Sequence, residues 1–198
     1  MQNEKIIFQR PAVFLDRDGT INEELGYINH ISRFKLLKES ANGIKLLNEA
    51  GFLVFVVSNQ SGAAKGYFPE KLIDEINTVM LADLSACGAR IDKIYYCPHS
   101  VDGKVDSLRM ECDCRKPKTG MIKSAMRDFN IDIFKSFVIG DRINDITFAH
   151  AAGLRGIMVK TGYGMGELEY ILPYVENKPD YIADDLNDAA LWIINSIK

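Results

Sequence analysis

The stretch AVFLDRDGT, Ala12 to Thr20, decides how this chain is read. Four apolar residues stand together and then give way abruptly to Asp, Arg, Asp and Gly. A short, unbroken apolar run of this kind is the mark of a strand covered on both faces. In parallel sheets, sites lie where strands end at their carboxyl side. The polar residues after Leu15 are therefore the first place to look for chemistry.

Working outward, further apolar runs suggest strands at 52–58 (FLVFVVS), 93–97 (KIYYC), 136–141 (SFVIGD) and 156–160 (GIMVK), with a shorter one at 180–184 (DYIAD). Helical patterns fill the gaps at about 41–50, 70–86, 119–129, 144–152 and 187–197. Gly51 suits the end of the first helix, Pro69 the start of the second and Thr119 the cap of the third. Strand and helix alternate throughout. This predicts an α/β fold, a Rossmann-like three-layer α/β/α arrangement with a mostly parallel sheet, as a single domain over residues 1–198. Segment 98–113 has neither periodicity, and a loop that long needs a function or an unusual means of support.

With 47% hydrophobic and 26% charged residues, the chain can bury a full core. A net charge of −3 is not the footprint of a protein that binds nucleic acid or an acidic membrane. No apolar run approaches the ~20 residues of a membrane span. The first residues lack the apolar stretch of a secretory signal. A cytoplasmic monomer is the expectation.

Asp16 and Asp18 are two apart and share a face of an extended strand. Two close carboxylates repel unless a cation or proton lies between them. VIGDRIND brings Asp141 to another strand end, with Asp145 one turn on. Three hard oxygen donors converging suit Mg²⁺, although any one such Asp could equally be a turn residue. The turn VVSNQSG offers Ser58, Asn59, Gln60 and Ser61 either as an anion cradle or as an ordinary polar turn. Lys116 stands before Pro117, which favours extended backbone, and could aim a fixed charge at a phosphate or simply lie on the surface. Cys97, His99, Cys112 and Cys114 form two tight pairs suited to a tetrahedral structural Zn²⁺. A disulfide does not fit a reducing compartment. Cys87 is expected to be a small, at least half-buried residue, and His30 and His150 to be structural.

FLDRDGTIN, VVSNQSG, CRKP and VIGDRIND, in that order, resemble the four motifs of the haloacid dehalogenase superfamily of phosphatases. More narrowly, DRDGTIN with a following GY, YYCPH and CDCRKP resemble the D-glycero-D-manno-heptose 1,7-bisphosphate 7-phosphatases and their histidinol-phosphatase relatives. The resemblance implies Asp16 as nucleophile and Asp18 as acid and base. It implies Mg²⁺ on Asp16, the Asp18 carbonyl and Asp141, with Ser58 and Lys116 stabilising the transferred phosphoryl group. Glu24, Leu25, Gly26, Tyr27, Asn59, Gln60, Ser61, Arg115 and Arg142 would meet a small sugar bisphosphate. Cys97, His99, Cys112 and Cys114 would hold Zn²⁺ in a loop spanning 97–114. Asp18 should be protonated as substrate arrives, so neighbouring anions should raise its pKa. The family often carries Thr where Ser58 stands, which keeps the hydroxyl. Some members carry Lys where Arg142 stands, and the two cations are not interchangeable. Neither the stretch between Asp18 and Ser58 nor that between Ser58 and Lys116 has room for a large cap domain. The rival activities are a histidinol-phosphate phosphatase, a nucleic-acid 3′-phosphatase and a non-catalytic zinc-stabilised binding module.

Overall fold

A computed structural model of the chain describes residues 9–197. The segment 1–8, part of the stretch searched above for a secretory signal, lies outside those residues. Six strands, β1 (Ala12–Leu15), β2 (Leu53–Asn59), β3 (Lys93–Cys97), β4 (Phe137–Gly140), β5 (Arg155–Val159) and β6 (Tyr181–Ala183), form one sheet in the order β3-β2-β1-β4-β5-β6. Every pairing is parallel, so the expected "mostly parallel" sheet is wholly so. The order reverses between β1 and β4, and ligand sites of doubly wound sheets open at that reversal.

Period-two alternation sorts the strands' side chains into two layers. Val13, Leu15, Val54 and Val56 face one cluster, packed by α1 (Ser40–Glu49), α6 (Leu186–Ser196) and the C-terminal half of α2 (Lys71–Ala86). Ala12, Phe14, Leu53, Phe55 and Val57 face the other, covered by α3 (Gly120–Asp128) and α4 (Ile143–Ala151). Two covered faces explain the unbroken apolar runs. Helix α1 lies so close to α6 that a Cβ on Gly43 would sit 2.7 Å from the Leu186 carbonyl oxygen. Gly51 follows α1 at φ +88°, the left-handed geometry expected after a helix end.

Several local expectations need correction. Pro69 falls two residues ahead of α2 rather than at its first position. Thr119 stands at the N-cap of α3, but its side chain makes no capping bond. Cys87 ends α2 in an exposed position, because α2 turns its apolar stripe elsewhere. A short helical segment, α5 (Gly164–Gly166), followed by a π turn over Glu167–Ile171, was not legible in the sequence. Its two glycines mask the helical period. The loop 98–113 contains one 3₁₀ turn, Asp106–Leu108, and no separate domain lies in either motif gap. Among the described residues no helix is long and apolar enough to cross a membrane.

Candidate active site

At the end of β1 the Asp16 amide still donates to the Ile139 carbonyl of β4 at 2.9 Å, which fixes Asp16 at the sheet's switch point. The chain then turns tightly, and the Arg17 carbonyl accepts from the amides of Ile21 and Asn22. Gly19, at φ +85°, makes this turn, and a Cβ there would stand 2.2 Å from Asp141 Oδ2. Gly162 presses the same oxygen from the end of β5. The Tyr163 amide donates to Asp141 Oδ2 at 2.8 Å. That carboxylate is therefore clamped on one side, while its other oxygen, Oδ1, is buried and has no hydrogen-bond partner. A buried, orphaned carboxylate oxygen is costly and asks for a cation.

The carboxylates of Asp16, Asp141 and Asp145 lie within 4.8 Å of one another. Lys116, only 5% exposed, places its ammonium 2.8 Å from Asp16 Oδ1 and 2.5 Å from Asp145 Oδ1. Burial opposes the Lys116 charge, but attraction to Asp145 and Asp16 outweighs it and holds the ammonium well above its usual range. One ammonium among these carboxylates leaves excess negative charge. Burial, partly offset by Lys116 and reinforced by Asp145, raises Asp16 to about 7. Burial and the charges of Asp16 and Asp145 raise Asp141 to about 8. A hard divalent cation at Asp16 and Asp141 would relieve this crowding, so the donor set fits Mg²⁺. Asp145 stands beside Asp141 as expected and also pairs with Lys116.

The expected rise of Asp18 is not found. Burial pushes its pKa up, but Arg17, Asn22 and Gln60 together pull it below the usual carboxylate value. Arg17 reaches both Asp18 oxygens, Asn22 donates to Oδ1 at 2.9 Å and Gln60 donates to Oδ2 at 2.7 Å. Sequence reasoning weighed the neighbouring anions and missed this shell of donors, because Arg17 reads as a surface-type residue.

These groups open on a hollow of about 340 Å³. Of the sequence-predicted residues, Asp16, Asp18, Glu24, Gly26, Tyr27, Ser58, Asn59, Ser61, Arg115, Lys116 and Arg142 line it. Leu25 lines an adjoining shallow hollow instead. Gln60 is buried and turns its amide to Asp18 and to the Ser58 hydroxyl, 2.8 Å away. The sequence missed Lys65, Asn144 and Tyr163 as lining residues. Lys65 donates to the Tyr27 hydroxyl at 2.9 Å, and the Arg142 guanidinium lies 3.8 Å from the centre of the Tyr163 ring.

Asn59 both lines the hollow and braces Lys116. Its Oδ1 accepts from the Lys116 amide at 3.0 Å, and its Nδ2 donates to the Lys116 carbonyl at 3.2 Å. The Lys116–Pro117 peptide is cis. Just upstream, the sulfurs of Cys97, Cys112 and Cys114 and Nδ1 of His99 stand 3.3–3.8 Å apart along their close contacts. Four ligands at about 2.0–2.3 Å from one Zn²⁺ have edges of this length, so the set fits that ion. Arg115, directly after Cys114, donates to the His99 carbonyl at 3.2 Å. The predicted ligand quartet thus comes together in space. His30 caps a surface 3₁₀ turn and His150 meets Asp180, both away from the hollow.

Comparison with known proteins agrees with this geometry. The family model described as "HAD-hyrolase-like" matches residues 113–189. The D-glycero-beta-D-manno-heptose-1,7-bisphosphate 7-phosphatase of Haemophilus ducreyi is 37% identical over 186 residues, which is 93% of this chain and 98% of that protein. The D-glycero-D-manno-heptose-1,7-bisphosphate 7-phosphatase of Thermosynechococcus vestitus is 40% identical, over 93% of this chain and 95% of its own. The crystal structure of D,D-heptose 1,7-bisphosphate phosphatase from B. bronchiseptica, complexed with magnesium and phosphate, superposes with a TM-score of 0.81 at 28% identity, over 94% of this chain and 99% of that one.

Proposed function

The chain belongs to the D-glycero-D-manno-heptose-1,7-bisphosphate 7-phosphatase family of haloacid-dehalogenase-like hydrolases, and from that premise we propose that it removes the 7-phosphate of D-glycero-D-manno-heptose 1,7-bisphosphate. The observation that carries this reading is one convergence. Asp16, Asp18 and Lys116, spread over a hundred residues of chain, line a single hollow, and buried Asp141, with its orphaned oxygen, stands within 4.8 Å of Asp16 behind it.

Phosphoryl transfer asks for an in-line nucleophile and positive charge around the equatorial oxygens. Asp16 attacks phosphorus, and the bond from phosphorus to the sugar oxygen breaks, leaving an aspartyl-phosphate. Asp18, held ionised by Arg17, Asn22 and Gln60 before substrate binds, takes up a proton as the phosphate anion arrives and passes it to the departing oxygen. In the second step Asp18 takes a proton from water, the water oxygen attacks phosphorus, and the Asp16 carboxylate is released with inorganic phosphate. Lys116 and the Ser58 hydroxyl face the charge that gathers on the phosphoryl oxygens. Asp16, Asp141 and the Asp18 carbonyl would hold Mg²⁺, whose charge would let a carboxylate approach a phosphate. Cys97, His99, Cys112 and Cys114 would hold Zn²⁺ in a structural role, four protein ligands filling a tetrahedral set. Glu24 to Tyr27, Asn59 to Ser61, Arg115 and Arg142 serve the substrate, Gln60 by way of Asp18 and Ser58.

All of these groups come from one chain, so a monomer suffices, and residues 1–198 act as one phosphatase domain. Three thiols kept free for a metal suit the reducing cytoplasm. The test is side-by-side turnover of heptose 1,7-bisphosphate, histidinol phosphate and 4-nitrophenyl phosphate, with Mg²⁺ and with EDTA. Metal-dependent release of the 7-phosphate at the highest kcat/KM is expected. Preference for histidinol phosphate would move the substrate to the sister activity, and no turnover of any ester would overturn the enzymatic reading.

A further inference from the structure

Arg17 is 1% exposed, the largest fully buried side chain among the described residues, and it carries a charge. Taking a guanidinium out of water costs several kcal/mol unless its donors are met. Arg17 meets them in a specific way. Its Nη2 donates to Asp18 Oδ2 at 2.9 Å and Oδ1 at 3.1 Å, and its Nε lies 3.3 Å from Oδ1. From behind, Asn77 of α2 accepts from Nη1 at 3.3 Å. Asn77 is itself buried and does not line the hollow. The guanidinium is thus fixed on one side by a helix and spent on the other upon a carboxylate that faces the hollow.

An Asp at the end of a strand needs no such partner in order to fold, since a turn residue can be solvated. Two-point contact with a planar fork fixes both the position and the plane of a carboxylate, which a single hydrogen bond cannot do. We propose that Arg17, anchored by Asn77, is a positioning residue that holds the Asp18 carboxylate in the orientation needed for proton transfer at the leaving oxygen. The proposal rests on the reading of Asp18 as the acid and base. Arg17 does not line the hollow and stands behind Asp18. Lysine at position 17 would keep the charge and lose the fork.

The experiment compares kcat/KM of wild type, Arg17→Lys and Asn77→Ala on two esters. An alkoxide leaving from heptose 1,7-bisphosphate needs a proton, whereas nitrophenolate leaving from 4-nitrophenyl phosphate does not. Because kcat/KM covers steps up to leaving-group departure, the ratio of the two isolates the acid. Misplacing a general acid costs up to about 10²-fold, so Arg17→Lys is expected to lose about 30–100-fold on the sugar ester and under about fivefold on the aryl ester. Asn77→Ala should shift the ratio in the same direction by about three- to tenfold, with circular dichroism unchanged. Equal losses on both esters, or an unchanged ratio, would overturn the proposal. If Arg17→Lys fails to fold, the Asn77→Ala ratio decides by the same criterion. Wild type inactive on both esters would instead overturn the underlying phosphatase reading.

Discussion

At the carboxyl ends of β1 and β4, several carboxylates share one ammonium inside a close-packed sheet, whereas the Cys97, His99, Cys112 and Cys114 cluster hangs on a loop with little core of its own. Among the Val, Leu and Met side chains of that loop, Leu108 is buried while Val101, Val105 and Met110 are exposed. The carboxylate centre is held by the fold and strained by its own charge. The cysteine loop buries little apolar surface and is tied down by backbone bonds such as those from the Lys104 and Val105 amides to the Ala64 carbonyl. A cation would serve them differently: in the first it would relieve repulsion that the sheet forces on Asp16 and Asp141, and in the second it would stand in for a hydrophobic core. The two meet at Cys114, Arg115 and Lys116, where the last thiol is followed by two residues that line the hollow.

The sharpest break in this comparison is Asp16→Asn. It removes the proposed nucleophile and one candidate metal charge without disturbing the sheet, so kcat should fall by about 10³-fold or more while zinc content and fold stay intact. Residual activity within tenfold of wild type would remove Asp16 from its role. Cys112→Ser attacks the other centre. Zinc content should drop, the melting temperature should fall, and kcat/KM should decline by about tenfold as Arg115 and Lys116 lose their anchor. Zinc loss with unchanged kinetics would show that the two centres are independent.

A milder cut falls on the bridge between them. Asn59→Ala deletes two hydrogen bonds to the Lys116 backbone, each of about 1 kcal/mol, and should cost about five- to tenfold in kcat/KM and lower the melting temperature by about 4–8 °C. An unaltered rate would mean that the cysteine loop alone places Lys116.

The smallest expected effect is on stability and depends on pH. With Asp16 raised to about 7 and Asp141 to about 8, the folded chain keeps protons that the unfolded chain has released. Their contribution to stability is complete below the ordinary carboxylate pKa of about 4 and is lost as pH rises through 7 to 8. Mg²⁺ should therefore raise the melting temperature by about 3 °C at pH 8.5 and by under about 1 °C at pH 5.5. Equal gains at both pH values would refute charge crowding as the reason this centre wants a cation.

Much of this was legible from one dimension. The strands were plain because parallel strands covered on both faces are written as unbroken apolar runs, and AVFL and LVFVV are such runs. The weakly patterned α5 escaped because Gly164 and Gly166 interrupt its period. The candidate ligands could be read because chemistry clusters at strand ends, as DRDGT and VIGDRIND do. The ionisation of Asp18 could not be read, since it depends on Asn22, Gln60 and a buried Arg17 whose direction no local pattern encodes. The same holds for Lys65 and Tyr163, which reach the hollow from loops after β2 and β5, and for Cys87, whose exposure depends on which way α2 turns.

The sequence by itself determined the alternation of strand and helix, the family, and the identity of the groups that carry charge and could bind metal. These follow from local periodicity and from residue types whose chemistry is fixed wherever they stand. Only the tertiary structure decided which charges share a partner: Lys116 between Asp16 and Asp145, Arg17 on Asp18, and one oxygen of Asp141 left open. Electrostatic pairing depends on distance and burial in three dimensions, and residues a hundred positions apart become neighbours only when the sheet brings its strand ends together.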